Sequence, residues 1–388
     1  MKKLIFIGLI FFVSFCAREE IDLPEEFSTL ENLVVVSGDQ EPLFDMELKR
    51  QVTFGDSEQV IIGQLSTATI DGNGNEYIGV SRKNMIHLFT PDGIYSGSIG
   101  REGGGPGEFR LLIYIGTNES HLYAFDLNSY RISVFELESH EFVHSFIIPF
   151  IPEVISGTFS HPMSFYLPNN KNQILISFSV SPMARDSEDD GVPVLYGKLL
   201  NIDSLTFEEG RIYEVPTPER IVHRDDSGMV TLAPDYKRSS HVKITDEYIL
   251  SAWNEHLLFK FHDYNANYKK ALYYPVNKIP IDKNEIISSY DESSNLVQRL
   301  IRNDHIPDFY PAFKRSILDD ENRIWVATYT DDLDILNWKV FTFEGDLFGS
   351  FHWPDNISIM QIQNGFVYTI ETDEDTGVRE IVKYSYRD

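Results

Sequence analysis

The chain contains the run Ile70-Asp71-Gly72-Asn73-Gly74-Asn75-Glu76-Tyr77-Ile78-Gly79-Val80, in which a polar turn separates two apolar segments. Asp-Gly and Asn-Gly pairs between apolar segments are strong hairpin signals, because tight turns need positive φ angles. The pattern continues through residues 85–89, the turn Pro91-Asp92-Gly93 and residues 94–99. Residues 65–99 therefore predict a sheet of four antiparallel strands.

Looser copies of this unit recur along the rest of the chain. They cover residues 115–135, 165–176, 242–261, 317–346 and 359–386. Four-stranded units that repeat in this way are the signature of propeller blades. We predict an all-β fold, a six-bladed β-propeller over residues 43–388. Seven blades remain an alternative if the long third or fourth region hides a further hairpin.

Two segments lie outside the repeat. The sixth copy supplies three strands, and the strand-like run Phe44–Phe54 is predicted to complete it as an N-terminal clasp, which removes two open sheet edges. Residues 282–306 carry Ile286, Ile287, Tyr290, Val297, Leu300 and Ile301 at helical spacing. They predict one inserted amphipathic helix that packs against the ring.

The N-terminus resembles a lipoprotein signal peptide over residues 1–16. Lys2 and Lys3 precede the apolar run Leu4–Val13, which is too short to span a bilayer of about 30 Å. Val13-Ser14-Phe15-Cys16 is similar to a lipobox, with Phe15 where a small residue is usual, and predicts lipid attachment at Cys16. Ordinary cleavage after Cys16 is the alternative. Residues 17–42 are predicted to be a tether, since they are rich in acids and contain prolines.

The charge of the chain restricts its partners. It has 33 Lys and Arg against 60 Asp and Glu, a formal net charge of -27. Nucleic-acid affinity depends on cations that replace the counterions of phosphates, so nucleic acid is excluded as a partner. Anionic headgroups are repelled too, and membrane association is predicted through the lipid anchor.

A glycine-rich stretch, Gly100-Arg101-Glu102-Gly103-Gly104-Gly105-Pro106-Gly107-Glu108-Phe109, closes the first blade. This stretch and residues 306–326 resemble NHL-like six-bladed β-propeller lipoproteins of Bacteroidetes-type bacteria, and the resemblance covers residues 40–388. It implies the propeller fold and an outer membrane lipoprotein of the cell envelope, but no defined activity. Ala17-Arg18-Glu19-Glu20 resembles the surface-export signal of such lipoproteins, which implies surface exposure.

The glycine run is interpreted as a crossing between blades, because glycines permit positive φ and close backbone approach. A phosphate loop would need a following helix and a Lys, and here a strand follows. Arg101, Glu108 and Arg110 flank the crossing. They are the candidate ligand-binding residues, with loop-fixing ion pairs as the alternative interpretation.

Motifs for chemistry are few. Residues 186–191 begin like a calcium loop, but Gly197 stands at the twelfth position where a Glu is expected. The histidines show no zinc spacing, and His87 is expected to face solvent on its strand. We predict no catalytic residue, no metal site and no cofactor.

The leading hypothesis is an envelope-anchored propeller that acts as a binding or scaffold module for an unidentified ligand, with a protein or glycan as partner. The alternative is a calcium-dependent hydrolase or lyase whose ion is held by Asp, Asn and Glu side chains on the propeller axis. That alternative requires at least three acidic or amide side chains from different blades to converge there.

Overall fold

A computed structural model describes residues 23–55, 60, 62, 65–80, 82–150, 158–168, 172–182, 194–225, 228–373 and 377–386. These residues form mainly β-strands, as the content of β-branched and aromatic residues favours. Short 3-10 helices occur at Glu25–Phe27 and Leu127–Ser129. In the described ranges, no helix has both the length and the apolar character to cross a bilayer.

The first half of the chain contains three N-terminal strands and three blades. The N-terminal strands are β1 (Leu33–Val35), β2 (Phe44–Asp45) and β3 (Lys49–Phe54). Blade 1 is β4 (Leu65–Ile70), β5 (Glu76–Val80), β6 (Met85–Phe89) and β7 (Tyr95–Ile99), followed by the short pair β8 (Arg101–Glu102) and β9 (Glu108–Phe109). Blade 2 is β10 (Leu112–Thr117), β11 (His121–Asp126), β12 (Arg131–Glu136) and β13 (Phe142–Ile147). Blade 3 is β14 (Thr158–Tyr166), β15 (Gln173–Pro182), β16 (Val194–Asn201), β17 (Thr206–Phe207) and β18 (Tyr213–Pro216).

The second half contains a hairpin, two helices and three blades. The hairpin is β19 (Ile221–Asp225) and β20 (Gly228–Leu232). Blade 4 is β21 (Ser240–Ile244), β22 (Ile249–Trp253), β23 (Leu258–His262) and β24 (Tyr268–Tyr273), and the helices α1 (Lys283–Ser288) and α2 (Asn295–Asn303) follow it. Blade 5 is β25 (Arg315–Leu318), β26 (Ile324–Tyr329), β27 (Ile335–Phe341) and β28 (Leu347–Pro354). Blade 6 is β29 (Ser358–Gln363), β30 (Phe366–Thr372) and β31 (Arg379–Ser385), completed by β3.

These sheets confirm the predicted count of six blades. The first strand of each blade is its innermost strand, and β29 of blade 6 contacts β4 of blade 1, so the ring closes. A further hairpin does exist between blades 3 and 4, but β19 and β20 pair only with each other among the described strands. The hairpin is therefore an insertion, not a seventh blade.

The turn chemistry explains why the sequence forms hairpins at equivalent places. In blade 1, Oδ1 of Asp71 accepts hydrogen bonds from the backbone N–H groups of Asn73 and Asn75, both at 2.9 Å. In blade 5, Oδ1 of Asp319 accepts the same pair of bonds, from Glu321 at 3.0 Å and Arg323 at 2.8 Å. The fourth turn residue has positive φ in both, +84° at Gly74 and +59° at Asn322. Glycine and asparagine tolerate that conformation, so both turns are locally encoded.

The predicted tether is wrong for much of its length. Residues 17–22 lie outside the described residues, but β1 pairs in parallel with β24 and adds an outer strand to blade 4. The Asn32 side-chain amide donates to the Lys269 carbonyl at 3.0 Å, and the Tyr268 hydroxyl donates to the Glu31 carbonyl at 2.7 Å. Phe27 is buried, with its ring 5.3 Å from that of Tyr273. Backbone pairing, side-chain hydrogen bonds and apolar packing therefore fix this segment to the propeller.

The clasp is confirmed for residues 49–54 and wrong for residues 44–45. Strand β3 pairs antiparallel with β31, with Phe54 opposite Ile381, and forms the outer strand of blade 6. Strand β2 instead pairs in parallel with β28 of blade 5. The N-terminal segment thus adds one strand to each of blades 4, 5 and 6 in turn; we call residues 33–54 the belt.

The insertion after blade 4 contains two helices where one was predicted. The Ser288 and Ser289 hydroxyls donate to the carbonyls of Glu285 and Ile286, at 3.0 and 2.8 Å. Such bonds compete with the helical pattern and end α1. Helix α2 then begins afresh at Ser294, whose side chain accepts the backbone N–H of Val297.

The core of the propeller lies between adjacent blades. Trp325 and Trp338 of blade 5 are fully buried and pack in one cluster with Val367 and Val382 of blade 6. Ile286 and Ile287 of α1 also pack against this cluster, as expected for the inserted helix. His87 is only 3% exposed, so the expectation that it faces solvent is wrong.

Candidate functional site

A cavity of about 580 Å³ lies where the inner strands meet. Five of the six blades contribute to its lining, since the first strand of each blade runs along the axis. Blade 4 contributes the whole of β21, and blade 3 contributes the last residues of β14 together with one residue each from β15, β16 and β18. The lining residues are Tyr114, Met163, Ser164, Phe165, Tyr166, Ser177, Leu195, Tyr213, Ser240, His241, Val242, Lys243, Ile244, Ile317, Leu318 and Met360. We call this space the axial cavity.

Lys243 is a half-buried residue of β21 in this lining. Burial alone lowers the pKa of Lys243 to about 8, because a desolvated ammonium is disfavoured. Among the described residues, no hydrogen bond or ion pair to its side chain occurs. Lys243 therefore stays mostly protonated at neutral pH without a counter-charge from the described part of the chain.

His241 lies two residues earlier on the same strand. Its Nδ1 lies 3.0 Å from Ser316 Oγ and its Nε2 lies 3.1 Å from Ser239 Oγ. The ring packs 4.6 Å from that of Phe313. Burial and then the charge of Lys243 lower the pKa of His241 to about 3. His241 is therefore neutral at physiological pH.

Tyrosines and serines supply the remaining polar groups of the axial cavity. The Tyr213 hydroxyl donates to Ser177 Oγ at 2.6 Å, and burial raises the pKa of Tyr213. Burial also raises the pKa of Tyr114, whose ring lies 4.9 Å from that of Phe165. Burial and then the charge of Asp246 raise the pKa of Tyr166. These hydroxyls are neutral hydrogen-bonding groups on otherwise apolar walls.

The calcium alternative requires acidic or amide side chains at the axis. The described lining of the axial cavity contains no Asp, Glu, Asn or Gln. Nor do His, Cys, Asp and Glu side chains gather into a metal-binding group anywhere in the described ranges. The described lining thus does not provide the ligands that this alternative needs. The calcium-like run at residues 186–191 lies outside the described residues.

The predicted ligand residues lie instead at the crossing from blade 1 to blade 2. Arg101 and Glu108 form an ion pair with Nε 2.8 Å from Oε1, and Glu108 Oε2 accepts the Gly105 backbone N–H at 2.8 Å. That backbone bond, followed by the Arg101 bond, lowers the pKa of Glu108. Arg110 is exposed, with its guanidinium against Gly104. These contacts are those of the loop-fixing interpretation, and a ligand role for the three residues stays a prediction.

The glycines of this crossing have a steric reason. Gly100 has a φ of +73°, and a Cβ atom there would collide with the ring of Phe109. Arg131 Nη1 donates to the Gly104 carbonyl at 3.1 Å, which ties the crossing to blade 2. The run is therefore a structural crossing, as interpreted from the sequence.

A second cleft of about 500 Å³ is lined by residues 219–220 and 236–238, on either side of the β19–β20 hairpin, and by residues that follow α2. Its central cation, Arg238, binds Glu219 at 2.6 Å and Glu255 at 2.7 Å. Lys278 binds the other oxygen of Glu255 at 2.7 Å. The charges around Arg238 are thus paired, in contrast to Lys243 in the axial cavity.

Comparison with known proteins bears on the fold. A family model described as a 6-bladed beta-propeller, DUF5128, matches residues 57–189. The chain is a six-bladed β-propeller. No curated protein matches this propeller.

Solved structures share the propeller fold at low identity. One is a Bacteroides fragilis protein described as exported, with a TM-score of 0.52 and 11% identity over 92% of this chain and 100% of that chain. Another is a DUF4221 family member from Bacteroides vulgatus, with a TM-score of 0.53 and 10% identity over 88% of this chain and 98% of that chain. A streptogramin B lyase reaches a TM-score of 0.39 at 12% identity over 90% of each chain, which is too distant to inform activity.

Sequence reasoning missed Lys243 as a site residue. The residue was visible only as the polar member of Val242-Lys243-Ile244, a pattern that also fits an exposed strand position. The signal that distinguishes it is its place on the first strand of a blade, because the first strands of blades 2 to 6 all contribute to the axial cavity.

Proposed function

We propose that this propeller is an exported, lipid-anchored binding protein of the bacterial outer membrane and that its ligand site is the axial cavity. The resemblance of residues 1–16 to a lipoprotein signal peptide supports export and acylation at Cys16. The fold that it shares with a Bacteroides protein described as exported is consistent with this location. The central observation is the axial cavity, because it combines volume, apolar walls and convergent polar groups.

The ligand class follows from the size and lining of the cavity. Small-molecule sites usually have about 300–1,000 Å³ of space, mainly apolar walls and a few polar groups. The axial cavity has about 580 Å³, with Phe165, Ile317 and Met360 as apolar residues and serine and tyrosine hydroxyls as polar ones. It therefore suits a small molecule with an apolar body. A protein or glycan partner would instead contact the loops on the faces of the ring.

The test places a tryptophan in the axial cavity and compares its effect on binding with that of a tryptophan outside the cavity. Met163 lines the cavity and is 47% exposed, while Met229 is 57% exposed on β20, outside the lining. The probes are benzoate, phenylacetate and 4-phenylbutyrate together with their amides, and binding to the full chain is measured by saturation-transfer NMR. Met163→Trp should weaken binding roughly 10-fold or more, since the indole occupies the site, and Met229→Trp should leave it unchanged.

Two results would contradict the proposal. One is the absence of binding by every probe. The other is equal weakening by both tryptophan variants, which would place the binding outside the axial cavity.

A further inference from the structure

We propose that the ligand of the axial cavity carries one negative charge, a carboxylate, and that the Lys243 ammonium binds it. This inference rests on the proposed function, because it names the ligand class of the same cavity. It follows from the charges of the lining and from the contrast between Lys243 and the other buried lysines.

Lys243 is the one charged group of the described lining at neutral pH. His241 is neutral, because burial and then the charge of Lys243 lower the pKa of its imidazole to about 3. Tyr114, Tyr166 and Tyr213 are neutral because burial raises the pKa of each hydroxyl. Within the lining a ligand therefore meets a single positive charge, and outside the lining Asp246 accepts the hydrogen bond of the Tyr166 hydroxyl at 3.4 Å.

Other lysines of comparable burial have partners. Lys314 Nζ lies 2.6 Å from Asp235 and 2.7 Å from Asp355. Lys339 lies over the ring of Tyr274, with Nζ 5.4 Å from the ring centroid. A buried charge without a partner costs free energy. In a chain with a net charge of -27, Lys243 differs from both, because its side chain has neither a carboxylate nor a ring as partner among the described residues.

One cation on apolar walls favours a monoanion. A carboxylate on an apolar body neutralises Lys243 and can accept bonds from the Ser240 or Ser164 hydroxyl in the same lining. A dianion such as a phosphate monoester would bring a second charge that no described lining group balances. The carboxylate class therefore fits the axial cavity best.

Binding should depend on pH in a defined direction. The ammonium form binds the anion, and the pKa of Lys243 without a bound anion is about 8. As pH rises above this value the free protein loses the proton, so each further pH unit should weaken carboxylate binding about 10-fold. Amide binding should not change, because His241 and the tyrosines stay neutral over this range.

The experiment compares each carboxylate probe with its amide. Dissociation constants are measured by calorimetry for the full chain, for Lys243→Met and for Lys260→Met, an exposed lysine of the same blade. The wild type and Lys260→Met should prefer the carboxylate by roughly 10- to 100-fold. Lys243→Met should lose this preference and still bind the amide, which separates the role of charge from that of the cavity.

The outcomes distinguish this inference from the proposed function. Equal binding of acid and amide by the wild type, or a preference that persists in Lys243→Met, would overturn the charge assignment and leave the cavity as the site. Failure of all probes would overturn both. If Lys243→Met does not fold, the pH series on the wild type decides, and carboxylate affinity that is flat from about pH 7 to pH 10 would refute the inference.

Discussion

The two halves of the ring complete their outer edges in different ways. Blades 4, 5 and 6 receive β1, β2 and β3 of the belt, whereas blades 1, 2 and 3 use strands from their own repeat. On blade 5, the Phe348 ring packs 5.1 Å from Phe44 of the belt. On blade 2, Val143 and Ile147 of the outer strand are 49% and 62% exposed. Equivalent sheet edges are thus locally encoded in one half and depend on distant residues in the other.

The largest effect is expected at the clasp of blade 6. Phe54 is fully buried, and its ring lies 6.2 Å from Phe89 of blade 1 and 6.4 Å from Tyr368 of blade 6. Phe54→Ala should lower the free energy of unfolding by about 3–5 kcal/mol, because it leaves a cavity where the ring closes. Urea denaturation measures this loss.

Phe44 is the matched control on the belt, since it is 56% exposed on β2. Phe44→Ala should cost less than about 1 kcal/mol. Similar losses for the two variants would show that the clasp is no more important than the rest of the belt.

A second contrast between the halves concerns the buried residue that follows each of two equivalent turns. Ile324 of blade 5 pairs with Leu318, and Glu76 of blade 1 occupies the same position opposite Ile70. Glu76 is fully buried, and neither carboxyl oxygen has a hydrogen-bond partner among the described residues. Burial, and then the charge of Asp71, raises the pKa of Glu76 well above its usual value. Blade 1 thus carries an acid where blade 5 carries an apolar side chain.

Glu76→Gln should therefore stabilise the propeller at neutral pH. The folded state holds the Glu76 proton more tightly than the unfolded state, so this group contributes less stability as pH rises above about 4.5. We expect a gain of about 1–3 kcal/mol at pH 7 that shrinks toward zero near pH 4.5. Urea denaturation of both proteins at several pH values measures the difference, and a gain that is constant with pH would contradict the assignment.

The smallest loss of stability is expected from substitutions of two valines at the outer edges of blades. Val36 follows β1, is 2% exposed and packs with Leu272 of blade 4 and Phe341 of blade 5. Val36→Ala should cost about 1–2 kcal/mol, whereas Val143→Ala on the outer strand of blade 2 should cost less than about 0.5 kcal/mol. Thermal unfolding measures both losses of stability. Equal losses would contradict the proposed difference between the two outer edges.

The sequence was sufficient for the blades because each blade carries its own turn signal. Asp71 and Gly74, like Asp319 and Asn322, favour a hairpin through local interactions alone. Strand β1 of the belt was missed because it is three residues long and pairs only along a sheet edge. Such a strand has no periodicity, and its acidic surroundings resemble those of a tether. The break between α1 and α2 depends on hydrogen bonds from serine hydroxyls to backbone carbonyls. The spacing of the apolar residues does not indicate these bonds.

The candidate site was less predictable than the fold. Arg101 and Glu108 were identified from the sequence because they flank a conspicuous glycine run, and their ion pair is local. The axial cavity assembles residues from five blades, so no local motif encodes it. Lys243 acquires its unusual environment only from the closed ring.

The hydrogen bond from Arg50 to Glu371 joins residues 321 positions apart, at 3.2 Å. As the chain leaves the ribosome, β3 emerges long before β31, the strand with which it pairs. Contacts of such long range form slowly, since the intervening chain must first be brought together. A nascent copy would therefore remain open until its final sheet is made. For the export that we propose, this delay would be useful, because a chain that has not yet closed can still be threaded through a narrow translocation channel.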